Sequence, residues 1–210
     1  MKLAFEKDNY DIYNYLINYP GIEICAFCFK DCEKLKEFNV PISATFIGDY
    51  AFFGCKFLSD ITIPSSVTSL RQHCFEGCVC LKMIHLPSTL ESIGESSFKD
   101  CTNLINIDIP PLITSIEEET FSGCSSLKTI NIPESVTSIG FRAFYGCKLL
   151  DYIEFPSSIN KISVTSFDEC TSLKGIIYKN DLDNIEIITE ITEKQEKLIM
   201  SLSGDTNSGK

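Results

Sequence analysis

The sequence predicts an α/β repeat solenoid, built from 23-residue coils whose strands form a parallel concave β-sheet and whose short helical turns lie on the outer side. Three observations predict it. First, Pro41, Pro64, Pro87, Pro110, Pro133 and Pro156 recur without insertion or deletion. The same shift aligns Phe29, Phe52, Phe75, Phe98, Phe121, Phe144 and Phe167, then Cys32, Cys55, Cys78, Cys101, Cys124, Cys147 and Cys170, then Leu35, Leu58, Leu81, Leu104, Leu127, Leu150 and Leu173. Second, each unit holds a short alternation of apolar and polar residues, such as Ile130 and Ile132 against Thr129 and Asn131, the signature of a half-buried strand. Third, a compact segment such as GFRAFYGC closes each unit with Gly146 or its equivalent at a turn position.

Taken in chain order, Ile12, Tyr15 and Ile17 fall on the apolar columns without the preceding Phe and Cys, so residues 1–21 read as an N-terminal cap. Repeats occupy 22–178. In each, the proline ends the strand because it has no amide proton to donate. Val136 and Ile139 then turn inward, and the unit closes on Ala143 and Phe144 packed beneath Gly146. Gly54, Gly77 and Gly123 share that last place, with Asp31 and Asp100 as tolerable substitutes in a left-handed conformation and Glu169 the poorer fit. Lys179 replaces the next proline, and 179–202 read as a C-terminal cap with a short helix opening at Thr192 in a Thr-x-x-Gln capping box. Residues 203–210 read as a flexible tail. One strand and one turn cannot bury their apolar face alone. Eight stacked strands would make a ridge on the order of 35 Å long.

The unit Leu-x-x-Ile-x-Ile-Pro-x-x-Val-x-x-Ile-Gly-x-x-Ala-Phe-x-Gly-Cys resembles the BspA-like, or treponemal-type, class of leucine-rich repeat, over 22–178. Commoner classes carry an Asn or Cys shortly after the strand, whereas that column here is Ser43, Ser66, Thr89, Leu112, Ser135 and Ser158. The resemblance implies a leucine-rich-repeat solenoid that binds host or matrix proteins, with no cofactor and no catalytic residues. It also implies a bacterial adhesin or antigen, although members displayed on bacterial surfaces carry export signals.

Composition narrows the function classes. A hydrophobic content of 44% against 22% charged residues describes a chain that folds, and a net charge of -11 with no Lys or Arg cluster argues against nucleic acid. Charges interrupt the apolar residues near the start, as Glu6, Lys7 and Asp8 do, so no secretory signal is visible. No run approaches the roughly 20 apolar residues that cross a bilayer. The expectation is a cytoplasmic protein without membrane insertion; the alternative is a cell-surface protein that leaves without a recognisable signal. Only His73 and His85 are available as imidazole bases, and neither lies in a recognised catalytic motif, so no enzyme is expected. Cys25, Cys28 and Cys32, and separately His73, Cys74, Cys78 and Cys80, have spacings compatible with zinc ligation. The repeat accounts for most of both. Cys32 and Cys78 belong to the cysteine column, and Cys28 and Cys74 share the small-residue column of Ala51, Ser97, Thr120, Ala143 and Ser166. The cysteine column reads as buried reduced thiols, with no metal site and a metal or redox protein as the remote alternative.

With the register fixed, alternation assigns outward positions. They are Glu37, Asn39, Asp60, Thr62, Met83, His85, Asn106, Asp108, Thr129, Asn131, Tyr152 and Glu154, ending with Gly175 and Ile177. None is Lys or Arg. The expected function is therefore a non-enzymatic protein-binding module, with Asp60 to Glu154 as the contact face and a partner carrying a basic patch. Oligomeric state is left open.

Overall fold

The computed structural model describes residues 24–163, 165–179 and 185–188. Strands alternate between two rows, one on each side of a shared core. The first row consists of β1 (Glu37–Asn39), β3 (Asp60–Thr62), β6 (Asn106–Asp108), β8 (Thr129–Asn131), β10 (Tyr152–Phe155) and β12 (Gly175–Lys179). Coil-to-coil pairing is parallel and keeps the 23-residue register, Glu37 opposite Asp60 and Asn106 opposite Thr129. Instead of one sheet of eight strands, the row is a series of ladders. β1 pairs β3, β6 pairs β8, and β10 pairs β12. The expected strand at Met83–His85 reduces to a bridge between His85 and Thr62.

A second row was not predicted. It comprises β2 (Phe46–Ile47), β4 (Ser69–Leu70), β5 (Ser92–Ile93), β7 (Ser115–Ile116), β9 (Ser138–Ile139) and β11 (Lys161–Ile162). These strands form two parallel ladders, β2-β4-β5 and β7-β9-β11. Between the rows, each proline carbonyl accepts the amide three residues on, as Ala44 N–H does from Pro41 at 3.0 Å and Val136 N–H from Pro133 at 3.0 Å. Proline thus ends one strand and starts the turn toward the next.

The predicted helical turns are absent: among the described residues there is no helix. The hydrogen bonds explain why. In the coil at 50–55, the amides of Tyr50, Phe52 and Gly54 donate to Gln72, Cys74 and Glu76 on the next coil. The intervening amides of Ala51, Phe53 and Cys55 donate three residues back. A continuous α-helix sends every amide to the residue four back, so this alternation forbids one. It is set by two left-handed residues per turn. Gly54, Gly77, Gly123 and Gly146 take φ of +68 to +75°, with Asp31, Asp100 and Glu169 in the same place as predicted. Four residues earlier, Phe27, Tyr50, His73, Ser96, Glu119 and Arg142 are also left-handed, at φ of 50 to 62°. No glycine marks that second site. The inter-coil hydrogen bonds offset the cost of placing side chains there, on the order of 1 kcal/mol each.

Inside, the Phe column is a continuous stack. Ring centroids from Phe29 to Phe167 are 5.0 to 5.6 Å apart, and interplanar angles do not exceed 14°. Beside it, each thiol donates across the coil gap. Cys55 Sγ lies 2.9 Å from the Phe29 carbonyl, Cys124 Sγ 3.1 Å from that of Phe98, and Cys78, Cys101, Cys147 and Cys170 repeat the contact. The Phe52 carbonyl, for example, accepts both the Cys55 amide and the Cys78 thiol. The column is a hydrogen-bonded ladder as well as packing material. Burial pushes the Cys55 and Cys170 thiols up to about 12, and raises Cys78, Cys124 and Cys147 well above the ordinary value.

At the C-terminal end, β12 runs on through Tyr178 and Lys179, since no proline stops it. It pairs antiparallel with β13 (Ile185–Ile188), which lies in the segment read as a C-terminal cap. The proposed helix at Thr192, the N-terminal cap and the tail lie outside the described residues.

Candidate functional site

Alternation in the first row does what the sequence predicts through β10. β1, β3, β6 and β8 each show an exposed, buried, exposed pattern, with Phe38, Ile61, Ile107 and Ile130 in the core. Glu37, Asn39, Asp60, Thr62, Met83, His85, Asn106, Asp108, Thr129, Asn131, Tyr152 and Glu154 are all exposed. Parallel register arranges them in two columns. One runs Glu37, Asp60, Met83, Asn106, Thr129, Tyr152; the other runs Asn39, Thr62, His85, Asp108, Asn131, Glu154. The columns lose this exposure at their C-terminal end. Gly175 is buried and Ile177 half-buried, and both belong to β12, which β13 flanks.

Met83 and Tyr152 are large groups left 51% and 43% exposed on an otherwise polar face. Acids in the columns meet a feature the alternation did not single out. Lys36, Lys82, Lys128 and Lys174 directly precede the outward positions in alternate coils, and all are exposed. Lys174 bonds Asp151 at 2.9 Å and lies 5.8 Å from the Tyr152 ring centroid. Its hydrogen bond to Asp151 raises its pKa above the ordinary value. The face therefore carries acids along its centre and spaced lysines along one border. A shallow open hollow at this border is lined by Lys128, Thr129, Leu149, Asp151 and Lys174.

The two cysteine-containing groups weighed as zinc sites are used differently. The imidazole of His73 meets Glu76 and stacks on Tyr50 with centroids 4.4 Å apart, while Cys78 donates to the Phe52 carbonyl. Among the described residues no group of three or more His, Cys, Asp or Glu side chains is arranged to hold a metal. In the first described coil, Cys25 and Cys28 form a disulfide with their Cα atoms 5.5 Å apart. Sequence reasoning missed this pairing because Cys28 occupies the small-residue column and looked fully explained by it. Among the described residues no helix is long and apolar enough to cross a membrane.

Comparisons with known proteins agree on the architecture. No curated protein sequence matches the chain. A leucine-rich repeat protein from Bacteroides ovatus is 35% identical over 74% of this chain, with a TM-score of 0.70. The chain spans only 40% of that protein's length. The T. pallidum leucine rich repeat protein is 29% identical over 61% of this chain and 71% of its own, with a TM-score of 0.51. One from Eubacterium ventriosum, 24% identical over 65% of this chain and 43% of its own, shares the fold at a TM-score of 0.54. The BspA type leucine rich repeat region matches in six copies over residues 22–125 and 100–189, and the chain belongs to that family.

Proposed function

We propose that the first strand row is the contact face of a non-enzymatic protein-binding scaffold. The observation that carries this reading is the mixed chemistry of the outward columns, in which Met83 and Tyr152 stand exposed among carboxylates. What supports the reading is where the two large side chains stand: Met83 shares an outward column with Asp60, and Tyr152 is two residues from Glu154 on the same strand face. Protein interfaces favour Met and Tyr as anchors, with charges around them that complement the partner. Asp60, Asp108 and Glu154 select basic side chains, and the lysine border at Lys36, Lys82 and Lys128 selects acidic ones at the partner's edge. The geometry suits an elongated protein surface. The columns cross at least six coils at about 4.8 Å per step.

The test places a photo-crosslinking residue at Tyr152 and, separately, at Ser138 of the second row, in cell extract. A discrete adduct from position 152 is expected. It should weaken at least tenfold with Asp60→Asn, Asp108→Asn and Glu154→Gln combined, while the melting temperature is unchanged. Equal adducts from both positions, or insensitivity to the triple substitution, would overturn the reading.

A further inference from the structure

We propose that Cys25 and Cys28 form a reversible thiol–disulfide exchange site that takes dithiols as reductants and that the solenoid does not need in order to fold. The inference stands apart from the binding-face reading, because it concerns the turn side of the first described coil.

The repeat itself supplies the control. Cys25 and Cys28 align with Gly48 and Ala51, Arg71 and Cys74, Gly94 and Ser97, Glu117 and Thr120, Gly140 and Ala143, and Ser163 and Ser166. A backbone hydrogen bond closes the three-residue step in the pairs ending at Cys28, Ala51, Ser97, Thr120, Ala143 and Ser166. The backbone bond is 3.3 Å from Cys28 N–H to the Cys25 carbonyl, against 3.3 Å for Ser97 to Gly94 and 3.1 Å for Ala51 to Gly48. Where the disulfide bridges the pair covalently, other coils use a hydroxyl. Ser97 Oγ donates to the Gly94 carbonyl at 2.5 Å, Thr120 Oγ1 to Glu117 at 2.9 Å and Ser166 Oγ to Ser163 at 2.6 Å. Two coils, with alanine at 51 and 143, use nothing beyond the backbone. The turn therefore forms with a disulfide, a hydroxyl or neither. A cross-link so short in sequence also removes little chain entropy.

Accessibility completes the argument. The column cysteines from Cys55 onward are buried, whereas Cys25 is exposed and Cys28 half-buried. An incoming thiolate can reach Cys25 Sγ. It bonds to that sulfur, the Sγ–Sγ bond breaks, and Cys28 leaves with the electron pair and takes a proton from water. The second thiol of the same dithiol attacks the mixed disulfide, releasing Cys25 as a thiolate that is then protonated. The dithiol closes to a cyclic disulfide. The protein gains two electrons and two protons, and the dithiol loses them.

The test equilibrates the native full chain with oxidised or with reduced dithiothreitol, alkylates it without denaturant and maps the labelled peptides. Nine of the cysteines are free, and Cys32 and Cys80 are half-buried and label in either state. Reduction should add two labels, on Cys25 and Cys28, with an unchanged circular dichroism spectrum and a melting temperature lowered by no more than about 5 °C. The Cys28→Ser variant, which copies the arrangement at Ser97, should fold as the wild type and show no such gain. Labelling of both cysteines after oxidation, resistance to dithiothreitol in the native state, unfolding on reduction, or failure of Cys28→Ser to fold would each overturn the proposal.

Discussion

Two sides of the same coil obey different rules. On the strand side, the column Glu37, Asp60, Met83, Asn106, Thr129, Tyr152 changes residue at every step and runs from carboxylate through thioether and amide to hydroxyl and phenol. On the turn side, Cys55, Cys78, Cys101, Cys124, Cys147 and Cys170 repeat one residue, and the Phe column beside them repeats another. The difference follows from what each position touches. A column cysteine meets the same carbonyl on the preceding coil every time, so one solution serves all coils. An outward strand residue meets water or a partner, and nothing in the stack dictates its identity. Stability lies in the repeated columns, and selectivity is free to lie in the varied ones.

The widest separation between the two sides should appear at high pH. Cys55 and Cys170 titrate at about 12 in the folded chain against 9.0 ordinarily, because burial opposes the thiolate. A raised folded value contributes stability that is complete below the unfolded thiol's pKa and is lost as pH rises through the folded one. Stability should therefore fall from about pH 9 toward pH 12, by up to about 4 kcal/mol for each such thiol. Urea melts at stepped pH measure this. Cys55→Ser with Cys170→Ser keeps a donor for the Phe29 and Phe144 carbonyls but does not titrate, so the fall should be shallower. An identical pH profile would remove the thiol ladder from the account. Next in size is Phe98→Ala, which interrupts the ring stack at its middle and should cost about 3–5 kcal/mol in chemical denaturation. Asp108→Asn, on the varied side, should change stability by less than about 0.5 kcal/mol. Similar costs for these two substitutions would erase the distinction.

The same division decided what was legible in the sequence. Repeated columns announce themselves, so the solenoid, the strand register and the exposure of all positions from Glu37 to Glu154 could be read directly. The second strand row could not, because strands of two residues, such as Ser69–Leu70, carry no alternation to detect. Helical turns were expected from compactness and the closing glycine. The deciding residues, Tyr50, His73, Ser96, Glu119 and Arg142, share a left-handed backbone and no chemistry, so composition gave no sign of them. The cysteines were read by volume, which explained their burial and concealed their hydrogen bonds. The same reading hid the Cys25–Cys28 disulfide behind the small-residue column. The lysine border escaped because it lies one residue outside the alternation, at Lys36, Lys82, Lys128 and Lys174.

Backbone conformation at the turn gives a small effect and the sharpest contrast, since it involves repeated positions where the backbone, not a side-chain contact, is tested. At Gly146, φ is +68° and the nearest atoms to an added Cβ are 3.9 Å away, so Gly146→Ala would make an ordinary van der Waals contact without a clash. Its cost should be purely conformational, about 1 kcal/mol. Glu169 occupies the same place at φ 62° with a residue poorly suited to it. Glu169→Gly should relieve that strain, but glycine's greater freedom in the unfolded chain takes back part of the gain. A net stabilisation of about 0.5 kcal/mol is expected by chemical denaturation. If Glu169→Gly destabilises instead, the glutamate side chain contributes packing or polar contacts at the last coil that outweigh its backbone, and that coil would resemble the varied strand face more than the repeated turns before it.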